Sequence, residues 1–501
     1  MHTFVSPLQY AVQIAPDSIA VIFEDQKITY RQLWSRCCRL ASVIGKLGGQ
    51  PGDRVAILAA NSAQYIESYV ALPAAGFVIV PLNTRHAEPE LRYALEDAGA
   101  KFLLTDRDPG VLRDLVDIVV MMPDEYDSLL STADEASLGD GVTEDDLAGL
   151  FYTGGTTGIS KGVMLTHRNL LANTFHFMIL APPTADDVML VMAPLFHAAG
   201  SNGVLSGIWS CSTQIPLKAF DPAVALDLIE KYHVSHTLGV PAMIAAISEL
   251  QHKEPRDVSS LRVVAHGGSP IATEVVRRAH EAFPTADFLH VYGMTEASPL
   301  MTGLRHEQDY LDSDRGRSCG LPLIGTRVKI VDKNGDELPA GEVGELAASG
   351  PNIMQGYWNK PEQTAEVMRG DWYLSGDMGY MDDGGYVYLV DRAKDMIVSG
   401  GENVYCSEVE EALYKHSAVL EVAVFGVPDQ QWGEAVHAVV VTRAEVTAEE
   451  LIAFCREYIA GYKIPKAISF SSDELPKSGP GKILKRKLRA PFWEERESKI
   501  N

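Results

Sequence analysis

The chain has 501 residues, 43 Lys and Arg against 67 Asp and Glu, and a net charge of −24. That length exceeds what one hydrophobic core serves, so two or more domains are expected. The acidic balance gives no electrostatic footprint for nucleic acid or an anionic membrane, so a polyanionic ligand has to be held by locally placed Lys, Arg and backbone N–H groups.

Strand and helix signals alternate through the first part of the chain. Thr29 with Gln32 forms a capping box, and Leu33, Cys37, Leu40, Ala41 and Ile44 follow at helical spacing. Val55 to Leu58 reads as a buried strand, Ala63 to Ala75 as a helix and Phe77 to Val80 as the next strand. Glu88 to Asp97 reads as a helix and Phe102 to Leu104 as extended. This alternation predicts an α/β fold, a large N-terminal domain with mainly parallel sheets flanked by helices. The longest apolar run, Val70 to Leu82, contains Pro73, Gly76 and Pro81 and is too short to span a bilayer, so no transmembrane segment is expected. Pro123 to Asp146 carries nine acidic residues and no basic one and reads as a solvated connection.

Near Asp391-Arg392-Ala393-Lys394-Asp395 the character changes. Ser407 with Glu410 is expected to cap a short helix. Leu420 to Phe425 and Ala435 to Val441 read as strands, Thr447 to Tyr458 as a helix and Ile468 to Phe470 as a short strand. Together they make a small α+β C-terminal domain. Six cysteines are scattered without a C-x-x-C pair, which fits a reduced, cytoplasmic setting. No signal peptide is read at Met1-His2-Thr3-Phe4-Val5 and no peroxisomal address at Ser498-Lys499-Ile500-Asn501.

The densest chemistry lies in Tyr152-Thr153-Gly154-Gly155-Thr156-Thr157-Gly158-Ile159-Ser160-Lys161-Gly162. Glycines let backbone N–H groups close on an anion, the hydroxyls add donors and Lys161 adds a point charge. The run reads as a phosphate cradle. It is not a Walker A loop, because Gly162 rather than Ser or Thr follows the lysine. Tyr292-Gly293-Met294-Thr295-Glu296 follows an apolar strand; a ring, a glycine and a carboxylate there suit base stacking, close ligand approach and a metal held by oxygen. His266-Gly267-Gly268-Ser269-Pro270 is a turn after strand Leu261 to Val264. Asp377, in Trp372-Tyr373-Leu374-Ser375-Gly376-Asp377, follows a tight turn where a carboxylate can accept from ribose hydroxyls. Ser399-Gly400-Gly401-Glu402 lets the backbone run along a narrow ligand, and Pro476 to Ile483 presents Lys482 on a Pro/Gly-rich loop.

These separated motifs resemble, in order, those of the adenylate-forming superfamily of acyl-CoA synthetases, luciferases and peptide-synthetase adenylation domains, and most closely its acyl-CoA synthetase branch. The resemblance runs over essentially the whole chain. It implies an N-terminal ATP- and acid-binding domain over 1–391, a hinge at 392–394 with Lys394 as the hinge residue, and a mobile C-terminal domain over 395–501. On the same ground Thr153, Gly154, Gly155, Thr156, Thr157 and Lys161 hold phosphates, and Gly267, Gly268, Ser269 and Gly293 lie beside adenine. Tyr292 packs on adenine, Thr295 meets phosphate, Glu296 holds Mg²⁺, and Asp377 and Arg392 contact ribose or phosphate. Lys482 is the implied catalytic lysine, in an element where Ser478 replaces the family's threonine. Ser399, Gly400, Gly401 and Glu402 line the implied CoA tunnel, with Cys406 where many relatives have proline. Trp432, Tyr462, Lys463 and Lys466 fall in segments resembling the CoA nucleotide surface. His197, Ala198, Gly293 and Met294 fall at the acyl pocket, and the small residues after His197 suggest room for an acyl tail.

The implied reaction joins a carboxylic acid to CoA at the expense of ATP, with Mg²⁺, through an acyl-adenylate. A fatty or aromatic acid is expected; a dicarboxylate needs a second cationic anchor, and none is evident. Transfer to a carrier protein and a non-catalytic nucleotide sensor are the alternatives. The chain runs on only briefly after Lys482, which reads against an attached carrier domain, and a sensor has no need of Lys482. No nucleic-acid partner is expected, and a homo-oligomer is compatible with the sequence.

Overall fold

The computed structural model describes residues 2–24, 26–153, 160–269, 271, 273–306, 313–392, 395–399, 402–429, 432–477 and 483–497. The capping box forms as expected: Gln32 N–H donates to Thr29 Oγ1 at 3.2 Å and Thr29 N–H to Gln32 Oε1 at 2.8 Å, starting helix Tyr30–Lys46. Every residue of helix Ala63–Ala74 is buried, the signature of a helix lying between layers.

Two large sheets flank that layer. In the nine-stranded sheet, Ile19–Phe23, Thr213–Pro216, Val188–Val191, His236–Gly239, Val263–Gly267 and Asp287–Tyr292 run parallel side by side. Gln26–Thr29 closes one edge antiparallel, and Thr302–His306 and Leu321–Pro322 close the other. In the seven-stranded sheet, Leu147–Thr153, Val78–Pro81, Arg54–Leu58, Ala100–Thr105 and Ile118–Met121 are parallel, while Lys161–Thr166 and Gly356–Tyr357 add antiparallel strands. The largest apolar cluster joins the buried helices to the inner faces of both sheets, and separate clusters cover the outer faces. Strands buried on both faces read as continuous apolar runs, which is why they were legible.

A third sheet departs from the parallel expectation. Arg327–Val331, Gly344–Ser349, Trp372–Met381, Met368–Arg369 and Val387–Arg392 pair antiparallel throughout. A fourth, small sheet is built from Ile397–Ser399, Glu402–Val404, Val419–Asp429, Gly433–Thr442 and Ala467–Phe470, with its own core around Val409, Leu413, Val424 and Leu451.

Two local expectations are corrected. The acidic segment contains helix Asp124–Thr132, whose Tyr126 and Leu130 are buried at i,i+4 spacing. The Tyr126 hydroxyl donates to Glu67 Oε2 at 3.2 Å, and Arg36 bonds both Glu67 and Asp127, so one face of this helix is packed while most of the stretch is exposed as expected. Ser407 and Glu410 do not cap helix Cys406–Tyr414: Ser407 Oγ donates to the Val390 carbonyl, and Glu410 Oε1 accepts from Val424 N–H at 2.8 Å. Tertiary partners outbid the local cap. By contrast Thr447 and Glu450 do form a capping box on helix Ala448–Cys455, which is shorter than the predicted helix.

Candidate active site

The phosphate-cradle segment joins two antiparallel strands, with Thr153 paired directly opposite Lys161. A hairpin connection of this kind differs from the strand-to-helix geometry of a P-loop. Gly154, Gly155, Thr156 and Thr157 lie outside the described residues. Lys161 sets its ammonium 4.7 Å from the centre of the Tyr357 ring, a cation–π contact that leaves the charge intact. The Tyr357 hydroxyl donates to Glu296 Oε1 at 2.8 Å. One tyrosine thus joins the lysine at the end of the cradle to the carboxylate of the Tyr-Gly-Met-Thr-Glu motif. Glu296 sits in a single 3₁₀ turn, Thr295–Ala297. Asn352 and Asn173 brace the segment that follows, each amide donating to the carbonyls of Ala297 and Leu300. Glu296 is a hard oxygen donor in a fixed turn, so the residues present fit a magnesium ion.

Tyr292 closes strand Asp287–Tyr292 and is buried; its hydroxyl donates to Asp377 Oδ2 at 2.8 Å. Burial first, then the Asp377 carboxylate, pushes the Tyr292 hydroxyl well above its ordinary range, so it stays a donor. Asp377 lies on strand Trp372–Met381, and Arg392 occupies the directly opposite position on the neighbouring strand. Tyr373 lies between the two acidic positions; its hydroxyl contacts Met294 Sδ at 3.0 Å and feels both Glu296 and Asp377. Gly267 and Gly293 are needed for close approach. A Cβ at Gly267 would meet the Val291 carbonyl oxygen at 2.3 Å, and one at Gly293 the Pro299 carbonyl oxygen at 1.9 Å. Ser269 follows at the turn beyond Gly268, which takes a φ of +83°.

His197 caps helix Ala198–Trp209, its Nδ1 accepting from Ala199 N–H at 3.3 Å. Burial pushes its pKa down to about 4, so it is neutral at physiological pH and offers no cation. Ala198 is buried, whereas a Cβ at Gly203 would meet nothing within 4 Å, so space opens along this helix.

In the small sheet Ser399 pairs with both Glu402 and Gly433, the residue after Trp432. Gly400 and Gly401 lie outside the described residues, as do Lys394 and Lys482. Trp432 is 41% exposed, with Lys466 Nζ 5.4 Å from its ring, and Tyr462 is 43% exposed. Lys463 is different: its ammonium is held by both Glu408 oxygens at 2.7 Å. Cys406 is buried and directs its thiol to the Asp395 carbonyl, a packing role. The flanks of Lys482 are anchored, Lys477 bridging Ile483 and ion-pairing Glu421 at 2.5 Å. Sequence reasoning missed Tyr357, Tyr373, Asn173 and Asn352. The Gly356-Tyr357-Trp358-Asn359 run, a glycine before paired aromatics, was the available signal.

Fold and site define a two-domain adenylate-forming enzyme. The model of AMP-binding enzymes matches residues 8–358, and that of the AMP-binding enzyme C-terminal domain matches 408–482. A feruloyl-CoA synthase from Amycolatopsis is 40% identical, over 96% of this chain and 97% of the relative. A long-chain-fatty-acid–CoA ligase from Bacillus subtilis is 36% identical, over 94% of this chain and 91% of the relative. The o-succinylbenzoate CoA synthetase of Bacillus subtilis, solved with its acyl-adenylate intermediate, superposes with a TM-score of 0.87 at 31% identity, covering 96% of this chain and 97% of that one. The same enzyme solved with ATP and magnesium gives 0.86 at 31% identity, covering 96% and 98%. The chain belongs to the AMP-binding enzyme family. Its activity is that of an AMP-forming acid–thiol ligase, an acyl-CoA synthetase working through an acyl-adenylate. No helix among the described residues is long and apolar enough to cross a membrane.

Proposed function

We propose that this enzyme activates a monocarboxylic acid with an aromatic or fatty body, an aryl acid of the feruloyl type being favoured, and passes it to CoA in the cytoplasm. The observation that carries the substrate reading is His197, at the proposed acyl position, capping helix Ala198–Trp209 with its Nδ1 taken up by the Ala199 N–H. With its pKa lowered by burial, that ring does not offer the cation a second carboxylate requires. The 40% identity to a feruloyl-CoA synthase supports the aromatic side of the choice.

A carboxylate is a poor electrophile because its leaving group is oxide. Adenylation gives it a stable leaving group and splits one hard step into two easier ones. The first step brings two anions together, so catalysis is positioning and charge neutralisation. Lys161 and the preceding loop hold the β- and γ-phosphates, and Thr295 contacts phosphate. Glu296 holds Mg²⁺, which when bound neutralises phosphate charge. Tyr292, Gly267, Gly268, Ser269 and Gly293 form the adenine surface, and Asp377 with Arg392 holds the ribose. Lys482 bridges the acid carboxylate and the α-phosphate as charge shifts between them. The CoA thiol, giving up its proton to solvent, then attacks the acyl carbon, and the new acyl carbon–sulfur bond forms as the acyl carbon–oxygen bond to AMP breaks.

The boundaries 1–391, 392–394 and 395–501 fit this division of labour. Rotation at Lys394 withdraws Lys482 and brings in Ser399, Gly400, Gly401 and Glu402. Trp432, Tyr462 and Lys466 offer ring faces and an ammonium to the CoA nucleotide. Lys463 is left out, because Glu408 already neutralises it.

The test is thioester formation across aryl, straight-chain and dicarboxylic acids, with CoA or a phosphopantetheinylated carrier protein as acceptor. Aryl acyl-CoA as the dominant product is expected. Preference for a dicarboxylate refutes the neutral-pocket argument, and transfer only to the carrier refutes the CoA assignment.

A further inference from the structure

The segment Gly356-Tyr357-Trp358-Asn359-Lys360 has no role in the reading above, yet it grips both ends of the phosphate cradle. Strand Gly356–Tyr357 pairs antiparallel with the strand that starts at Lys161, Tyr357 lying opposite Val163. Trp358 N–H donates to the Gly162 carbonyl at 2.8 Å. On the other stem, Asp97 accepts from the Tyr152 hydroxyl at 2.7 Å and from Lys360 Nζ at 3.1 Å, while its carbonyl accepts from Trp358 Nε1 at 3.0 Å. Tyr357 itself is 5% exposed and faces inward, with its ring under Lys161 and its hydroxyl on Glu296.

These two charges carry opposite duties. Lys161 must remain available to phosphate and Glu296 to a metal, and a direct pair between them cancels both. A neutral aromatic face holds an ammonium without neutralising it, and a phenol holds a carboxylate by one hydrogen bond and leaves its charge in place.

We propose that Tyr357 is a positioning residue that fixes the phosphate-binding ammonium of Lys161 with its ring and the metal-binding carboxylate of Glu296 with its hydroxyl, setting the spacing of the two groups that receive magnesium-bound triphosphate. The proposal rests on the ATP- and metal-binding roles given to these residues above. Its two halves are separable in the side chain: the hydroxyl serves the metal and the ring serves the lysine.

The test is equilibrium binding of ATP to the full-length protein as magnesium is varied, with thermal unfolding as a control. Tyr357→Phe keeps the ring and removes the hydroxyl. It is expected to raise the half-saturating magnesium concentration about 3- to 10-fold while changing magnesium-free ATP affinity less than about twofold. Tyr357→Leu removes both, and is expected to weaken magnesium-free ATP binding by about 3- to 10-fold as well. Adding Lys161→Ala to the leucine variant then costs less than adding it to wild type, which is the coupling a double-mutant cycle reads. An unchanged magnesium response in Tyr357→Phe overturns the proposal. So does a uniform loss in both variants that tracks a lowered melting temperature. Wild-type protein that binds no ATP at any magnesium concentration overturns the nucleotide reading along with it, a result recognisable before any variant is made.

Discussion

The Tyr292 hydroxyl donates to Asp377 Oδ2 across 2.8 Å, joining residues 85 positions apart in the chain. Both are buried, and the bond ties the end of a parallel strand in the nine-stranded sheet to the antiparallel sheet that carries Asp377. On the roles proposed for these residues, one contact sets the adenine and ribose positions together. Tyr292→Phe keeps the ring and loosens the carboxylate. We expect a rise in KM for ATP of about 5- to 30-fold, with the KM for the acid changed less than about twofold. Initial-rate kinetics with each substrate varied in turn measures the split; an unchanged KM for ATP removes Asp377 from the ribose role.

Gly293 is a position where only hydrogen fits. A Cβ there falls 1.9 Å from the Pro299 carbonyl oxygen, which is backbone and cannot swing away. Gly293→Ala is expected to lower stability by about 1–3 kcal/mol and to displace the turn that carries Glu296. Chemical denaturation measures the first effect. Wild-type stability in this variant contradicts the close packing described.

The buried histidines give a pH dependence with a definite sign. His266, His290 and His306 stack across neighbouring strands, the His266 ring 5.0 Å from His290 and 5.2 Å from His306. His280, from the covering helix, acts electrostatically on His266 and His306, and Asp287, at the strand start, acts on His280. Burial holds His290 down to about 4, and burial with neighbouring histidines holds His306 down to about 3. Their unfolded counterparts protonate near about 6.5, so the neutral native form is fully favoured above that pH. Stability is lost as pH falls from there toward the native values, by up to about 1.4 kcal/mol per pH unit for each histidine. Denaturant titrations from about pH 7 to about pH 5 are expected to show the decline, and His306→Gln to reduce its slope. Stability flat across that window contradicts the assignment.

The role proposed for Lys482 separates the two half-reactions. Lys482→Ala is expected to slow adenylation by about 10²- to 10⁴-fold, yet to slow thioester formation from supplied acyl-adenylate by less than about tenfold. Single-turnover assays of each half-reaction decide. Equal losses in both make the residue structural, which its anchored flanks make an informative outcome.

Much of this architecture was legible in the chain because the buried parallel strands are short apolar runs between amphipathic helices. The Thr29–Gln32 box fixed a helix start from local chemistry alone. Ser407 and Glu410 show the same pattern failing, since Val390 and Val424 offered those side chains tertiary partners. Helix Asp124–Thr132 was hidden because two buried residues were diluted by acids. Within the site, Glu296 and Asp377 were visible as carboxylates beside glycines. Tyr357 was not, because its partners stand 61 and 196 positions away in sequence and no local period records them.

The most direct measurement of the central claim is the stoichiometry of a turnover with ATP, CoA and an aryl propenoic acid, followed by quantifying nucleotide and thioester products together. One AMP and one pyrophosphate for each acyl-CoA, with no ADP, is the predicted result. ADP with inorganic phosphate, or nucleotide cleavage without a thioester, contradicts it.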